Sequence, residues 1–237
     1  MKKRRQDDPE LVRSEYADDT RLAARQSIWA RRTGPKVFDV AFDAVLESAP
    51  RRVLEVGCGR GEFASRLQQH GLEVVATDQS DHMVGLAAAR GLDARIADVQ
   101  DLPFADGEFD VAVSNFMLYH VSDVQRGLAE LARVAPRLVA ATTGIDQLRE
   151  MWEAVGRDVW DKAHVFLRET GEEHLRRHYA TVRMIDLTAT VEMSADDMRH
   201  YIANSVAHRD LVDRVPAFEG TRTITASAAV FVASNAA

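Results

Sequence analysis

Glu55 stands two residues ahead of three glycines that alternate through Glu55-Val-Gly-Cys-Gly-Arg-Gly61. These residue types at this spacing point to a ligand site. Glycine leaves the backbone bare, so a tight turn can form at Gly57, Gly59 and Gly61 and a ligand can come close to it. A carboxylate in the same turn is a poor neighbour for pyrophosphate and a good one for a cation. The spacing also departs from the G-x-G-x-x-G of dinucleotide sites, because the third glycine comes one residue early. The ligand implied is positively charged at one end. Cys58, inside the turn, is explained by its small size, and no histidine is placed beside it to make a nucleophile.

Asp78 lies 21 residues after Gly57. At this interval a Rossmann-like fold places an acid against ribose hydroxyls, and a carboxylate suits a vicinal diol because it accepts two hydrogen bonds. The alternative is a turn residue ahead of a helix. His120, beside Tyr119, is the histidine best placed for proton transfer, since imidazole titrates near neutral pH. Its alternative role is to cap helix or loop backbone. His174 and His178 stand four residues apart, but His-Leu-Arg-Arg-His lacks the glutamate of a zinc-protease helix and reads as a solvated basic face. No metal is expected. His164, His200 and His208 fall late in the chain, where the sequence does not choose among them.

Strands and turns must hold these groups in place. Val53 to Val56 is an apolar run fit for a buried strand, and Phe63 and Leu67 open a helix behind the glycines. Leu72 to Thr77 forms a second strand with Asp78 at its end. Ser80 caps the helix that follows, with Met83, Leu86 and Ala87 on its apolar face. A third strand over residues 94–97 ends in Asp98-Val99. A fourth, over residues 108–115, runs into Asn115-Phe-Met-Leu-Tyr-His120. Ser122 caps a helix carrying Val124, Leu128 and Leu131, and residues 137–143 form a fifth strand. Upstream, helical patterns over residues 11–32 and 37–48 are stopped by Gly34-Pro35 and Pro50.

Downstream, Leu148, Trp152, Val155 and Val159 mark a helix, and Thr170 with Glu173 is spaced as a capping box. A strand over residues 181–188, a helix capped by Ser194 with Met198, Tyr201 and Ile202 inward, and a last strand over residues 223–232 complete the chain. Alternating strands and helices indicate an α/β fold, in which ligands bind beyond the carboxyl ends of the strands. Residues 57–61, 78–79, 98–99, 114–116 and 119–120 all fall at that edge.

Glu55-Val-Gly-Cys-Gly-Arg-Gly61 resembles motif I of the class I S-adenosylmethionine-dependent methyltransferases, in the branch of ubiquinone-biosynthesis-type and small-molecule enzymes. The likeness runs over residues 53–123 and more loosely to 143. It implies a Rossmann-like doubly wound seven-stranded sheet with its last strand antiparallel, an N-terminal helical lid, and a helical insertion over residues 189–220 before the last strand. It implies S-adenosylmethionine as cofactor. Glu55 then draws the methionine ammonium, directly or through water, and Gly57, Gly59 and Gly61 admit the cofactor to the backbone. Asp78 holds the ribose, with Gln79 and Met83 beside it. Asp98 reaches the exocyclic amine of adenine, Val99 supplies a backbone donor and a flat wall, and Asn115 lies near the methionine moiety. Tyr16, Arg25, Trp29 and Tyr119 are candidate acceptor contacts. The alternatives are a packing anchor for Trp29 and a solvated or ion-paired side chain for Arg25. The chain departs from its relatives at Val134-Ala-Pro136, where a Pro-Gly-Gly turn is common.

The chain has 237 residues, a formal charge of −7 and one cysteine. Residues 1–10 are expected to be a disordered tail and residues 11–237 a single methyltransferase domain: helices to residue 50, a cofactor-binding core over 51–145 and acceptor-site elaboration over 146–237. The acidic balance does not indicate a general nucleic-acid surface. A lone cysteine fits a reducing compartment. Gln6-Asp-Asp-Pro-Glu10 stands where a signal peptide would be apolar, and no run approaches the length of a bilayer span. The expectation is a cytoplasmic protein, monomeric or homodimeric, with a small-molecule acceptor and no nucleic-acid or membrane partner. Its expected activity is methyl transfer to an O, N or C atom, in a setting such as specialised metabolism. The alternatives are methylation of RNA or protein, a nicotinamide-dependent oxidoreductase, and a non-catalytic cofactor-binding relative.

Overall fold

Strand β1 (Arg52–Val56) sits mid-sheet, and its side chains explain why: Val53, Leu54 and Val56 are buried on alternate faces. Strands that are apolar on both faces belong inside a parallel sheet covered by helices. The computed structural model describes residues 10, 14, 19–157 and 165–235. In it β1 pairs in parallel with β2 (Glu73–Asp78) on one side and β4 (Val111–Asn115) on the other. Strand β3 (Asp93–Ile96) extends the sheet beyond β2, and β5 (Arg137–Thr143) beyond β4. Strand β9 (Ala228–Ser234) runs antiparallel between β5 and β6 (Thr181–Asp186). The sheet runs in the order β3-β2-β1-β4-β5-β9-β6, and its seven strands with the last one antiparallel are as expected. Strand order reverses between β1 and β4, which places the ligand-binding crevice there.

Two cores cover the sheet. Val53, Val74, Val111, Val113 and Val139 meet α2 (Val37–Leu46) and α3 (Glu62–Gln69) on one face. Leu54, Val75, Ala112, Leu138 and Phe231 meet Leu128 and Leu131 of α5 (Val124–Val134) on the other. Helix α4 (Asp81–Ala88) begins as expected, with the Ser80 hydroxyl accepting from the Met83 N–H at 3.4 Å. The cap of α5 is Asp123 rather than Ser122. Its carboxylate accepts from the Arg126 N–H at 3.1 Å, while the Ser122 hydroxyl donates to Gln100 at 3.1 Å.

Other expectations need correction. Residues 108–110 are not strand, because Asp110 turns its carboxylate to the Arg51 and Arg52 N–H groups at 2.8 Å each. Upstream of the sheet, Glu10 and Ser14 are helical, and helix α1 (Asp19–Gln26) tightens into a 3-10 turn over Ser27–Arg31 rather than running on to residue 32. Helix α6 spans Arg149–Ala154, and Val159 lies outside the described residues. No capping box forms at α7 (Gly171–Leu175), since the Thr170 hydroxyl donates to the Val165 carbonyl at 2.5 Å and accepts from the Leu167 N–H at 3.0 Å.

The largest difference lies in the late insertion. It is a ribbon plus a helix, not helices alone. Strand β7 (Ala189–Met193) pairs antiparallel with β8 (Arg222–Ala226), so the single strand read over residues 223–232 is two, broken at Ser227. Helix α8 (Ala195–Ala203) lies between them, started by a full capping box of Ser194 and Asp197. The N-terminal segment joins the ribbon through Thr33 N–H to the Thr190 carbonyl at 2.9 Å and a bridge between Arg32 and Val191. Ile28, Leu148, Met151, Val191, Met198 and Ile224 form a third core there. The segment around Ile28 and the late insertion thus build one cap. No helix among the described residues is long and apolar enough to cross a membrane.

Candidate active site

Strand β1 hands over to a turn in which Gly57, Gly59 and Gly61 all have positive φ, at 66°, 52° and 74°. Only glycine adopts this at little cost, but the space around each differs. A Cβ on Gly57 would come within 2.6 Å of Met117, and one on Gly61 within 2.6 Å of Leu92 and 2.9 Å of Ala87. A Cβ on Gly59 would meet nothing within 4 Å. Gly57 and Gly59 line a cavity of about 1330 Å³ between the strand ends and the cap, whereas Gly61 packs against α4.

Of the acids that line this cavity, three stand at the ends of β1, β2 and β3. Glu55 is only 2% exposed. Its Oε1 accepts from the Asn115 amide at 3.4 Å, while its Oε2 and the Asn115 Oδ1 are buried with no hydrogen-bond partner. Burial, foremost, pushes its carboxyl up to about 8. Asp78 accepts from the Gly59 N–H at 3.0 Å and the Ser80 N–H at 2.9 Å. Burial raises its proton affinity, and these N–H groups oppose that rise. Asp78 therefore serves the turn and faces the cavity at once, so its two sequence readings do not compete. Asp98, at the exposed rim, accepts from the Gln100 N–H at 2.9 Å. Val99 is buried beside it, and Gln79 and Met83 complete this wall.

Beyond β4 the chain turns sharply at Phe116, a non-glycine residue with φ of 56° whose N–H reaches the Ala141 carbonyl at 2.8 Å. Such a conformation costs roughly 1–2 kcal/mol and marks sites held by their surroundings. It sets Tyr119 and His120, in the 3-10 turn Leu118–His120, on the cavity wall with ring centroids 4.3 Å apart. From the cap, Arg25 and Trp29 also line the cavity, and Arg25 donates to the Asn204 carbonyl at 2.7 Å. Tyr16 and His164 lie outside the described residues.

Among the further cavity residues, Trp152, Arg157 and Tyr201 were not singled out as site residues from sequence, and His208 is one of the late histidines the sequence left open. The Trp152 ring lies 6.3 Å from Tyr201 and 5.0 Å from His208, with the Arg157 guanidinium 4.2 Å over it. Helical spacing marks Trp152 and Tyr201 as inward, but a cavity and a core use the same spacing. Burial pushes the Cys58 thiol well up, which keeps it protonated and unreactive.

His174 and His178 do not form a solvated basic face. Gln125 of α5 bonds both, at 2.6 Å to His174 Nδ1 and 2.9 Å to His178 Nε2, and His174 is buried. Arg176 and Arg177 take the exposed side, paired with Glu172 at 2.6 Å and Glu173 at 2.8 Å. Among the described residues, no cluster of three or more histidine, cysteine or acidic side chains could hold a metal ion.

Residues 54–137 match the family described as a methyltransferase domain. The demethylmenaquinone methyltransferase of Thermus thermophilus is 38% identical over 114 residues, which cover 45% of this chain and 48% of that protein. The YcgJ protein of Bacillus subtilis has a related structure, with a TM-score of 0.61 at 16% identity over 83% of this chain and 98% of that one. A phospholethanolamine N-methyltransferase 2 of Haemonchus contortus was solved with phosphomonomethylethanolamine and S-adenosylhomocysteine. It gives a TM-score of 0.61 at 15% identity over 95% of this chain and 60% of that one. At such identities the structures establish the fold alone. The chain spans about half the length of the curated relatives it matches.

Proposed function

We propose that this chain, which carries a methyltransferase domain over residues 54–137, transfers a methyl group from S-adenosylmethionine to an O, N or C atom of a small molecule. The observation that carries the reading is the pair of buried acceptor atoms, Glu55 Oε2 and Asn115 Oδ1, left without partners beside the glycine turn. A buried polar atom without a partner costs about 1–3 kcal/mol, and a ligand bearing a cationic N–H donor relieves that cost.

The rest of the wall fits the same ligand. When bound, S-adenosylmethionine supplies a sulfonium methyl group already activated for displacement. Glu55 and Asn115 accept from its ammonium end. Asp78, anchored by two N–H groups, keeps lone pairs for the ribose diol. Asp98 and Val99 take adenine at the rim, with Gln79 and Met83 nearby, and Gly59 leaves room where any side chain would intrude. The cap excludes water and holds the acceptor in line, which is the main contribution such a reaction asks of a protein. Where the acceptor is a hydroxyl or amine, His120 receives the released proton.

The test is acceptor-dependent formation of S-adenosylhomocysteine. The purified chain is incubated with S-adenosylmethionine and a panel of phenols, amines and small acids, and each product is checked for one added methyl by mass. Turnover with at least one small acceptor supports the reading. Turnover only on bulk RNA or protein would replace it with the macromolecular alternative.

A further inference from the structure

Of the chain's four tyrosines, Tyr16 lies outside the described residues and Tyr179 is buried in the core, but Tyr119 and Tyr201 line the cavity. They reach it from different elements. Tyr119 stands in the 3-10 turn beyond β4, and Tyr201 on α8 of the cap. Arg25 donates to the carbonyl of Asn204, the residue that ends α8, and both phenols are near enough to feel its charge, so the three converge on one part of the wall. Burial, foremost, raises the proton affinity of both phenols, which keeps them neutral donors at pH 7. Neither hydroxyl has a hydrogen-bond partner among the described residues, and neither oxygen is buried out of reach. Phenylalanine, used nine times in this chain, serves an apolar wall as well, and a tyrosine hydroxyl taken from water normally finds a partner. A hydroxyl that the protein leaves unmatched on a cavity wall is available to a ligand, whose oxygen replaces the water that otherwise satisfies it.

We infer that Tyr119 and Tyr201 orient the acceptor by donating both hydroxyls to one of its oxygens, a carbonyl or hydroxyl oxygen set on an aromatic or apolar body. This rests on the methyl-transfer reading, because it treats the ligand at this end of the cavity as the acceptor. His120 lies beside the pair, its ring 4.3 Å from that of Tyr119, so an oxygen held there is placed next to the group proposed to receive the proton. Trp152, whose ring is 6.3 Å from that of Tyr201, and Trp29 give the body flat apolar walls. Two phenols donating to one oxygen fix its direction as well as its distance, which is the alignment that in-line transfer needs.

The experiment titrates the full chain, with and without saturating S-adenosylhomocysteine, with two probes of the same shape: acetophenone, which carries a carbonyl oxygen, and α-methylstyrene, which has a carbon in its place. Acetophenone is expected to bind at least fivefold more tightly. Tyr119→Phe and Tyr201→Phe keep the rings and remove only the hydroxyls. Each is expected to cut that preference threefold or more, and the double variant to abolish it, with S-adenosylhomocysteine affinity within twofold throughout. Acetophenone that binds no better than α-methylstyrene, including the case in which neither binds, overturns the inference. So does a preference retained in the double variant. Loss of S-adenosylhomocysteine affinity in the Phe variants, with the probe preference unchanged, overturns it too and assigns the hydroxyls to the cofactor. The wild-type comparison stands even if a variant melts early. Failure of S-adenosylhomocysteine to bind, with the carbonyl preference intact and lost in the Phe variants, would sink the methyl-transfer reading and leave the tyrosine pair standing as a ligand site.

Discussion

Asp78 accepts a hydrogen bond from the Gly59 N–H at 3.0 Å, so the acid that ends β2 fixes the glycine turn that ends β1. One carboxylate thereby joins two neighbouring strand ends and faces the cavity between them. Asp78→Ala is expected to weaken S-adenosylhomocysteine binding at least tenfold, about 1.4 kcal/mol or more. Calorimetric titration checks this, and unchanged affinity would remove the ribose assignment.

Gly59 and Gly61 separate two reasons for glycine in one turn. Gly59→Ala introduces only backbone strain, roughly 1–2 kcal/mol, yet it adds a methyl on the cavity wall that the proposed cofactor would meet. It is expected to melt within a few degrees of wild type and to lose cofactor affinity by tenfold or more. Gly61→Ala pushes a methyl into Leu92 and Ala87. It is expected to lose about 2–5 kcal/mol of stability from strain and overpacking together. Thermal melts and titrations of both variants decide it, and equal behaviour would contradict the distinction.

On the proposed reading, Glu55 makes cofactor binding a proton-linked event. In the free protein burial holds its proton up to about 8, against 4.5 for an ordinary glutamate. The folded state therefore binds more protons than the unfolded chain between these values, and the free protein loses stability as pH rises through them. A cationic ligand favours the carboxylate, so binding near pH 7 is expected to release close to one proton. Affinity is expected to climb, by up to about tenfold per pH unit, as pH rises toward 7.5 while the ligand's ammonium stays charged. Calorimetry in buffers of different ionisation enthalpy measures the release. Glu55→Gln should abolish it, and a release that persists in that variant would assign the proton elsewhere.

His120→Ala is expected to slow turnover on a hydroxyl or amine acceptor by about a hundredfold, with S-adenosylhomocysteine affinity within twofold. A change in affinity without a change in kcat would make His120 a structural residue of its turn.

The sheet was legible because its strands are apolar runs ending at acids or glycines, as at Val53 to Gly57 and Leu72 to Asp78. Ser80 and Ser194 were legible as caps because a cap is a local feature. The cap region was less so. Residues 223–232 alternate as one strand would, yet the chain changes sheets at Ser227, whose carbonyl accepts from Gly144 and whose N–H donates to Gln147 at 2.6 Å. Those partners lie some eighty residues away, beyond any local pattern. The same holds for His174 and His178, whose solvated reading fails because Gln125, 49 and 53 residues earlier, reaches both. Trp152 and Tyr201 read as inward from spacing alone, but that they face a cavity depends on which elements stand opposite. The glycines were legible as a turn, while the neighbours that set each one's purpose were not.

The central claim is that the cavity beside Glu55 and Asp78 binds S-adenosylmethionine, and the most direct test is calorimetric titration of the purified chain at pH 7 with S-adenosylhomocysteine and, separately, NADH. The account predicts micromolar binding of S-adenosylhomocysteine, about −8 kcal/mol, with one site and no comparable binding of NADH. Folded protein that ignores S-adenosylhomocysteine, or that binds NADH more tightly, would contradict it.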